Sequence, residues 1–399
     1  MSLNDTVSAE RVHIGFFGLR NAGKSSLVNA VTGQNLSVVS AIKGTTTDAV
    51  QKAMELLPLG PVVILDTPGL DDTGELGALR VERARQALMR TDIAVLVTDC
   101  TQPLSALETE MLALFQQKKL PYLLVQNKCD LLAERPGAEA HTIYVSARTG
   151  ENVSALKERI AALAAQTKTE KPLVADLLQS GDLTILVTPI DESAPKGRMI
   201  LPQQQTMRDL LDHHYAFVTC QPQELAHILQ SLSVPPKLVV TDSQAFARVA
   251  RDTPRKILLT SFSILFARYK GNLPALVRGA AKLSRLQSTD KVLISEGCTH
   301  HRQCGDIGTV KLPEWIRAYA GVSPEFHFTS GRDYPDDLSG FALIVHCGGC
   351  MLGETEMQNR ILQAQDSGVP IVNYGIAIAQ MHGILRRSLQ PFPDLETLL

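Results

Sequence analysis

At 399 residues the chain is too long for one hydrophobic core, because single cores rarely grow beyond roughly 250–300 residues, so two or three domains are expected. Hydrophobic residues at 44% and charged residues at 20% describe a globular composition, and a formal charge of −2 supplies no basic field, which argues against nucleic acid as a partner. No apolar run approaches the ~20 residues of a membrane-spanning helix, and Met-Ser-Leu-Asn-Asp at the start lacks the basic and apolar regions of a secretory signal, so a cytoplasmic protein with no membrane contact is expected.

Residues 11–165 alternate short apolar runs with helical patterns. Strands are predicted at 13–17, 62–65, 93–97, 122–125 and 142–145, and helices at 24–31, 76–90, 106–118 and 154–165. That alternation predicts a doubly wound α/β sheet. A polar stretch ending in Pro172 suits a linker. A second rhythm places strands at 184–187, 215–219, 237–241 and 256–260, with helices at 208–212, 222–232 and 243–251. A turn-rich segment, 189–205, is expected to fold back on the last domain. The last third has a predicted amphipathic helix at 273–286, strands at 291–295, 342–345 and 370–373, and a helix at 356–365. The expected architecture is α/β throughout: a doubly wound domain over 1–167, a linker and a segment associated with the last domain over 168–204, an α/β interaction or dimerisation domain over 205–268, and a further α/β domain over 269–399.

Gly18-x-x-x-x-Gly23-Lys24-Ser25 follows a predicted strand and opens a predicted helix, the context a phosphate-binding loop requires. Its glycines let backbone N–H groups from Asn21, Ala22, Gly23, Lys24, Ser25 and Ser26 approach phosphates at a helix N-terminus. Lys24 would reach the β- and γ-phosphates and Ser25 would bind Mg²⁺. Asp66-Thr-Pro-Gly69 closes a strand; Asp66 would hold the same Mg²⁺ and the Gly69 N–H would sense the γ-phosphate. Asn127-Lys128-Cys129-Asp130 also follows a strand. The Asp130 carboxylate can accept from guanine N1 and N2, a donor pair that adenine lacks. Ser146 and Ala147 would complete the pocket.

In order and spacing, residues 11–165 resemble the translation-factor-like GTPases, especially the TrmE and Era branch. The resemblance implies that Thr46, flanked by Thr45 and Thr47, binds Mg²⁺ and the γ-phosphate. The resemblance also makes Lys24, Thr46, Gly69 and Asn21 the residues of catalysis. Leu70 stands where Ras-like proteins carry a water-positioning glutamine, and no arginine finger is evident in cis, so intrinsic hydrolysis is expected to be slow. Asn21 matches the asparagine that binds K⁺ in potassium-activated members, which implies K⁺ activation.

Seven cysteines, an odd number, argue against a disulfide framework. Cys100, Cys129 and Cys220 lie in or beside apolar strands and read as small core residues. Cys298-Thr-His300 and His346-Cys347-Gly-Gly-Cys350 follow two predicted strands, where open α/β sheets place ligands. The two glycines favour a tight loop presenting both thiolates to one centre, and soft thiolates suit Fe–S, Zn²⁺ or Cu(I). Adding Cys304 makes four cysteines, enough for a closed Zn²⁺ site.

The Cys-x-His and His-Cys-x-x-Cys pattern behind a GTPase domain resembles the HydF family of [FeFe]-hydrogenase maturation factors, over residues 11 to about 395. That resemblance implies a [4Fe–4S] cluster held by Cys298, Cys347 and Cys350. It also implies a homodimer, and a scaffold that takes a transient diiron precursor from radical maturation enzymes and gives it to apo-[FeFe]-hydrogenase. His300, His346 or Asp191 are candidates for the fourth ligand. The alternative is a TrmE/Era-like RNA- or partner-associated GTPase with a structural zinc or Fe–S domain.

Overall fold

The computed structural model describes residues 8–33, 50–67, 69, 83–134, 139–167, 171–190, 199–297, 306–331 and 333–398. Two compact units divide at residue 170.

The first unit is a six-stranded sheet. Its strands are β1 (Val12–Phe17), β2 (Val50–Leu56), β3 (Gly60–Asp66), β4 (Ile93–Asp99), β5 (Tyr122–Asn127) and β6 (Thr142–Tyr144), in the order β2-β3-β1-β4-β5-β6. Only β2 runs antiparallel, against β3. Side chains alternate across the sheet. Ile14, Phe16, Ile93, Val95 and Val97 face a core with Leu27, Val31, Leu156 and Ile160 from helices Lys24–Thr32 and Val153–Thr167. Phe17, Ala94 and Leu96 face the other way, onto Leu88 and Phe115. Burial on both faces explains the near-continuous apolar runs that made these strands readable. Helix Ala106–Gln117 starts at a capping box in which Ser105 and Glu108 satisfy one another's backbone N–H groups.

The second unit carries two parallel four-stranded sheets. One contains β7 (Leu183–Val187), β8 (Ala216–Cys220), β9 (Leu238–Thr241) and β10 (Leu258–Ser261), ordered β10-β9-β7-β8. The other contains β11 (Lys291–Glu296), β12 (Glu325–Ser330), β13 (Leu343–His346) and β14 (Ile371–Asn373), ordered β12-β11-β13-β14. One apolar core joins them: Leu186, Leu210 and Phe262 pack in the same cluster as Leu276, Leu293, Val345 and Ile376. Helices Phe262–Lys270, Leu273–Ala280 and Tyr374–Met381 supply most of the seam. Among the described residues no helix is long and apolar enough to cross a membrane.

The strand expected at 184–187 forms as β7, which lies within 168–204 and is a central strand of the first of these two sheets. Helix boundaries differ from expectation. Helix Leu201–Asp212 begins seven residues before the expected start, because Pro202 sits in its first turn, where no backbone N–H is needed. The helix expected over 273–286 is α-helical only to Ala280 and continues as a tighter 3₁₀ turn over Ala281–Arg285.

Candidate functional site

Both sites sit where the chain reverses its direction of progress across a sheet. In such sheets a crevice opens beyond the carboxyl ends of the strands flanking the reversal. In the first unit β1 leads into the phosphate loop between β3 and β4. In the last sheet β11 and β13 flank the reversal, and Gly297 and Cys347 are the residues immediately beyond them.

The phosphate loop is held from the guanine side. Asn127, buried at the end of β5, donates from Nδ2 to the Ala22 carbonyl at 2.9 Å, and its Oδ1 accepts from the Ala147 N–H at 3.1 Å. One side chain therefore fastens the two loops that grip opposite ends of a nucleotide. Gly23 has φ +84° and precedes helix Lys24–Thr32; a Cβ there would strike Asn127 Nδ2. Asn21 also has positive φ, +67°, a conformation that asparagine tolerates better than most residues. Lys24 is buried and ion-pairs with Asp66, while Ser25 Oγ donates to the other Asp66 oxygen at 3.4 Å. The cation expected to bind phosphate and the oxygen groups expected to organise Mg²⁺ thus converge. Gly69 lies against the Arg20 backbone, where a Cβ would sit 3.1 Å from Arg20 Cα. Ser26 belongs to the first turn of the same helix. Thr46 lies outside the described residues.

Asp130 accepts from the Ser146 hydroxyl at 2.6 Å and pairs with Arg148 at 3.0 Å. The Ser146 hydrogen bond, with Arg148 adding to it, holds the Asp130 carboxyl below the usual range, so it is an anion ready to accept from two donors. Lys128, with φ +65°, reaches Asp99 at 2.6 Å. Burial works against the Asp99 charge, but the bonds from Lys128 and Thr101 outweigh it and keep that carboxyl low. Asp99 and Arg148 were not anticipated, since neither belongs to a contiguous motif; the carboxylate closing the apolar strand β4 beside the Asn-Lys-x-Asp strand was the available signal.

At the other site, the Cys347 N–H donates to the Ser295 carbonyl, tying the loop to β11. The Gly297 and Gly349 N–H groups point at Cys347 Sγ, at 3.0 and 3.4 Å. Gly349, at φ +63°, makes the turn that returns the chain toward Cys350. Burial pushes the Cys347 thiol up to about 11 despite those two amide donors, and burial also raises Cys350. Such thiols stay protonated until a cation displaces the proton, as a metal or cluster does. Paired amide donors on a buried sulfur in a strand-end crevice are the setting that Fe–S sites use to stabilise bound thiolate. The donors present therefore fit a [4Fe–4S] cluster. Cys298, His300, Cys304 and Asp191 lie outside the described residues; among those described, no group of three or more metal-ligating side chains occurs.

His346 is wholly buried with both ring nitrogens engaged: Nδ1 lies 2.8 Å from the Cys347 carbonyl oxygen and Nε2 lies 3.1 Å from Arg360 Nη1. Burial first, and Arg360 next, push it down to about 3, so it is neutral. Arg360 and Lys270, whose Nζ donates to the Cys350 and Leu352 carbonyls at 3.4 and 3.1 Å, went unread in the sequence. Arg360 interrupts the buried stripe Met357, Ile361 and Ala364 of helix Glu354–Asp366, and a charge inside an apolar stripe was the legible sign. Of the presumed core cysteines, Cys129 and Cys220 are buried and Cys100 is only partly so.

Three family models match the chain. A 50S ribosome-binding GTPase model covers residues 13–128, a hydrogen maturase F dimerization domain covers 173–271, and a hydrogen maturase F tetramerization domain covers 274–391. Among curated relatives, the tRNA modification GTPase MnmE of Thiobacillus denitrificans is 35% identical over 155 residues, 38% of this chain and 33% of that protein. The Legionella pneumophila MnmE is 37% identical over 161 residues, 40% of this chain and 36% of that protein. The chain thus spans about a third of the length of these relatives. Among solved structures, the G domain of the T. maritima FeoB iron transporter aligns at 24% identity and TM-score 0.32, over 39% of this chain and 99% of that one. Aquifex aeolicus Era aligns at 16% and 0.33, over 80% and 94%. The nucleotide-binding half is that of a GTP-hydrolysing enzyme that takes GTP with Mg²⁺.

Proposed function

The chain belongs to the hydrogen maturase F family, and from that premise we propose that it is a GTPase scaffold that holds a [4Fe–4S] cluster and a transient diiron precursor. It takes the precursor from radical maturation enzymes and delivers it to apo-[FeFe]-hydrogenase. The observation that carries this reading is the Cys347 sulfur, buried at the β11/β13 crevice and faced by two amide donors, with Cys350 one tight turn away.

Cys298, next after Gly297, is the third thiolate. With three thiolates one iron keeps a replaceable ligand, which is what a carrier needs to accept and release cargo. His346 is disfavoured there because both its nitrogens are engaged. The replaceable position falls to His300, Asp191 or an outside ligand. The protein supplies the amide donors and the loop geometry; the cluster, when bound, supplies the attachment point for iron-bound cargo.

At the nucleotide end, Asn21, Ala22, Gly23, Lys24, Ser25 and Ser26 bind the phosphates, and Lys24 and Gly69 act at the γ-phosphate. Ser25, Thr46 and Asp66 organise Mg²⁺, and Asn127, Lys128, Asp130, Ser146 and Ala147 read guanine. Hydrolysis is slow and K⁺-activated, with K⁺ held partly by Asn21. The working form is a homodimer or a higher assembly, in line with the dimerisation and tetramerisation domains of the family.

The test is activation of apo-hydrogenase by protein loaded in the presence of the radical enzymes. Hydrogen evolution that depends on Cys347 and Cys350 supports the reading. Loaded protein that never activates hydrogenase, yet binds structured RNA tightly, would replace it with the RNA-associated alternative.

A further inference from the structure

The last sheet contains a buried cation for which the phosphate chemistry has no use. Arg360 leaves only 4% of its side chain exposed, on helix Glu354–Asp366. Its Nη1 meets His346 Nε2 at 3.1 Å, and its Nη2 donates to the Gly331 carbonyl at 2.8 Å and to Glu356 Oε1 at 2.7 Å. Its plane lies over the Tyr334 ring, 4.9 Å from the centroid. Gly331 follows β12 and His346 ends β13, so one guanidinium ties together the carboxyl ends of two strands on either side of β11.

Chemistry then fixes the state of the His346 ring. A guanidinium can only donate and a carbonyl can only accept. Nε2 must therefore be the lone-pair nitrogen, and Nδ1 must carry the proton given to the Cys347 carbonyl at 2.8 Å. With that peptide held, the Cys347 sulfur faces the Gly297 and Gly349 N–H groups. A leucine would fill the helix position without desolvating a charge, so packing alone does not account for Arg360.

We propose that Arg360 is the positioning residue of the cluster-ligand loop: it locks the His346 tautomer that holds the Cys347 peptide, and it places a fixed positive charge beside the cluster. This rests on the cluster reading above. A [4Fe–4S]²⁺ core with three thiolates carries one net negative charge, and two after gaining an electron. A nearby cation favours the reduced form, and net charge is a recognised determinant of cluster potential. Glu356 offsets part of that charge. It stays behind when Arg360 is removed, so the substitution makes the surroundings more negative.

The experiment compares the anaerobically reconstituted full chain with Arg360→Met, Arg360→Lys and Glu356→Gln. Iron per chain, the midpoint potential by EPR-monitored titration, and the ¹⁵N shifts of the His346 imidazole in iron-free protein are measured. Arg360→Met is expected to lower the reduced-to-oxidised ratio at fixed potential about tenfold, or about 59 mV for one electron. Arg360→Lys, which keeps the charge and a donor, should lie close to the parent, and Glu356→Gln should move the ratio upward. The parent should show the Nδ1–H tautomer, and Arg360→Met should lose it. If Arg360→Met does not fold, Glu356→Gln still decides the sign. An unmoved potential with intact cluster, or an Nδ1–H tautomer that survives in Arg360→Met, overturns this inference alone. A parent chain that takes up no iron overturns the cluster reading and the charge role together, and the imidazole shifts still decide the tautomer role.

Discussion

In the proposed guanine pocket Asp130 would supply charge and Asn127 geometry. Asp130 is a low-pKa anion steadied by the Ser146 hydroxyl, whereas Asn127 touches only backbone and holds the phosphate loop against the guanine loop. Replacing Asp130 by Asn leaves the shape but presents a donor to guanine N1 or N2. GTP affinity is expected to fall roughly 100-fold by titration calorimetry while xanthosine triphosphate, which offers an acceptor there, gains. Asn127→Ala instead frees the Ala22 carbonyl and the Ala147 N–H and should weaken guanine and xanthine nucleotides equally. Asn21 stands in a positive-φ turn at the phosphate loop. With Leu70 where Ras-like proteins carry the water-positioning glutamine, K⁺ would offset transition-state charge: hydrolysis should be roughly tenfold faster in KCl than in NaCl, and Asn21→Ala should remove the difference. Equal rates in the two salts would contradict the K⁺ assignment.

At the scale of elements, legibility followed burial. Strands buried on both faces, such as β4 with Ile93 through Thr98 buried, appear in sequence as unbroken apolar runs and were read almost to the residue. The edge strands β6, β8, β10 and β14 were also read, but the edge strands β2 and β12 were not. The β2 sequence Val-Gln-Lys-Ala-Met-Glu-Leu and the β12 sequence Glu-Phe-His-Phe-Thr-Ser carry polar residues because one side of each lacks a neighbour, and neither was predicted. Helix Tyr374–Met381 is apolar on nearly every side because it lies in the seam between two sheets, and a helix without a polar face gives no 3.6-residue period. The nucleotide site was legible because its parts are contiguous motifs at strand ends. The Arg360–His346–Cys347 chain was not, because its members meet only through folding of segments 14 residues apart. Tight element contacts should be correspondingly sensitive. A Cβ at Gly279 would collide with the Ile371 carbonyl, where helix Leu273–Ala280 crosses β14. Gly279→Ala should therefore cost about 1–3 kcal/mol in chemical denaturation of the second unit, as overpacking does.

The whole molecule has two compact units with separate cores. Calorimetry of the intact chain should resolve two transitions. GTP with Mg²⁺ at 100 times its Kd should stabilise one of them by about 2.7 kcal/mol and leave the other in place. A single transition shifted as a whole would show the units to be thermodynamically inseparable. In the second unit helix Tyr374–Met381 packs beyond the carboxyl ends of β9 and β10, with Gly375 on Ser243 and Ser263. The β11/β13 crevice carries Cys347, and Cys350 one turn on, at its mouth. The proposed [4Fe–4S] cluster at this crevice is tested most directly by iron and sulfide content with an EPR spectrum after reduction, on anaerobically reconstituted protein. The account predicts about four irons and four sulfides per chain, a reduced-cluster signal, and loss of both in Cys298→Ala, Cys347→Ala and Cys350→Ala. Stoichiometric zinc without sulfide, or a cluster indifferent to Cys347 and Cys350, would contradict it.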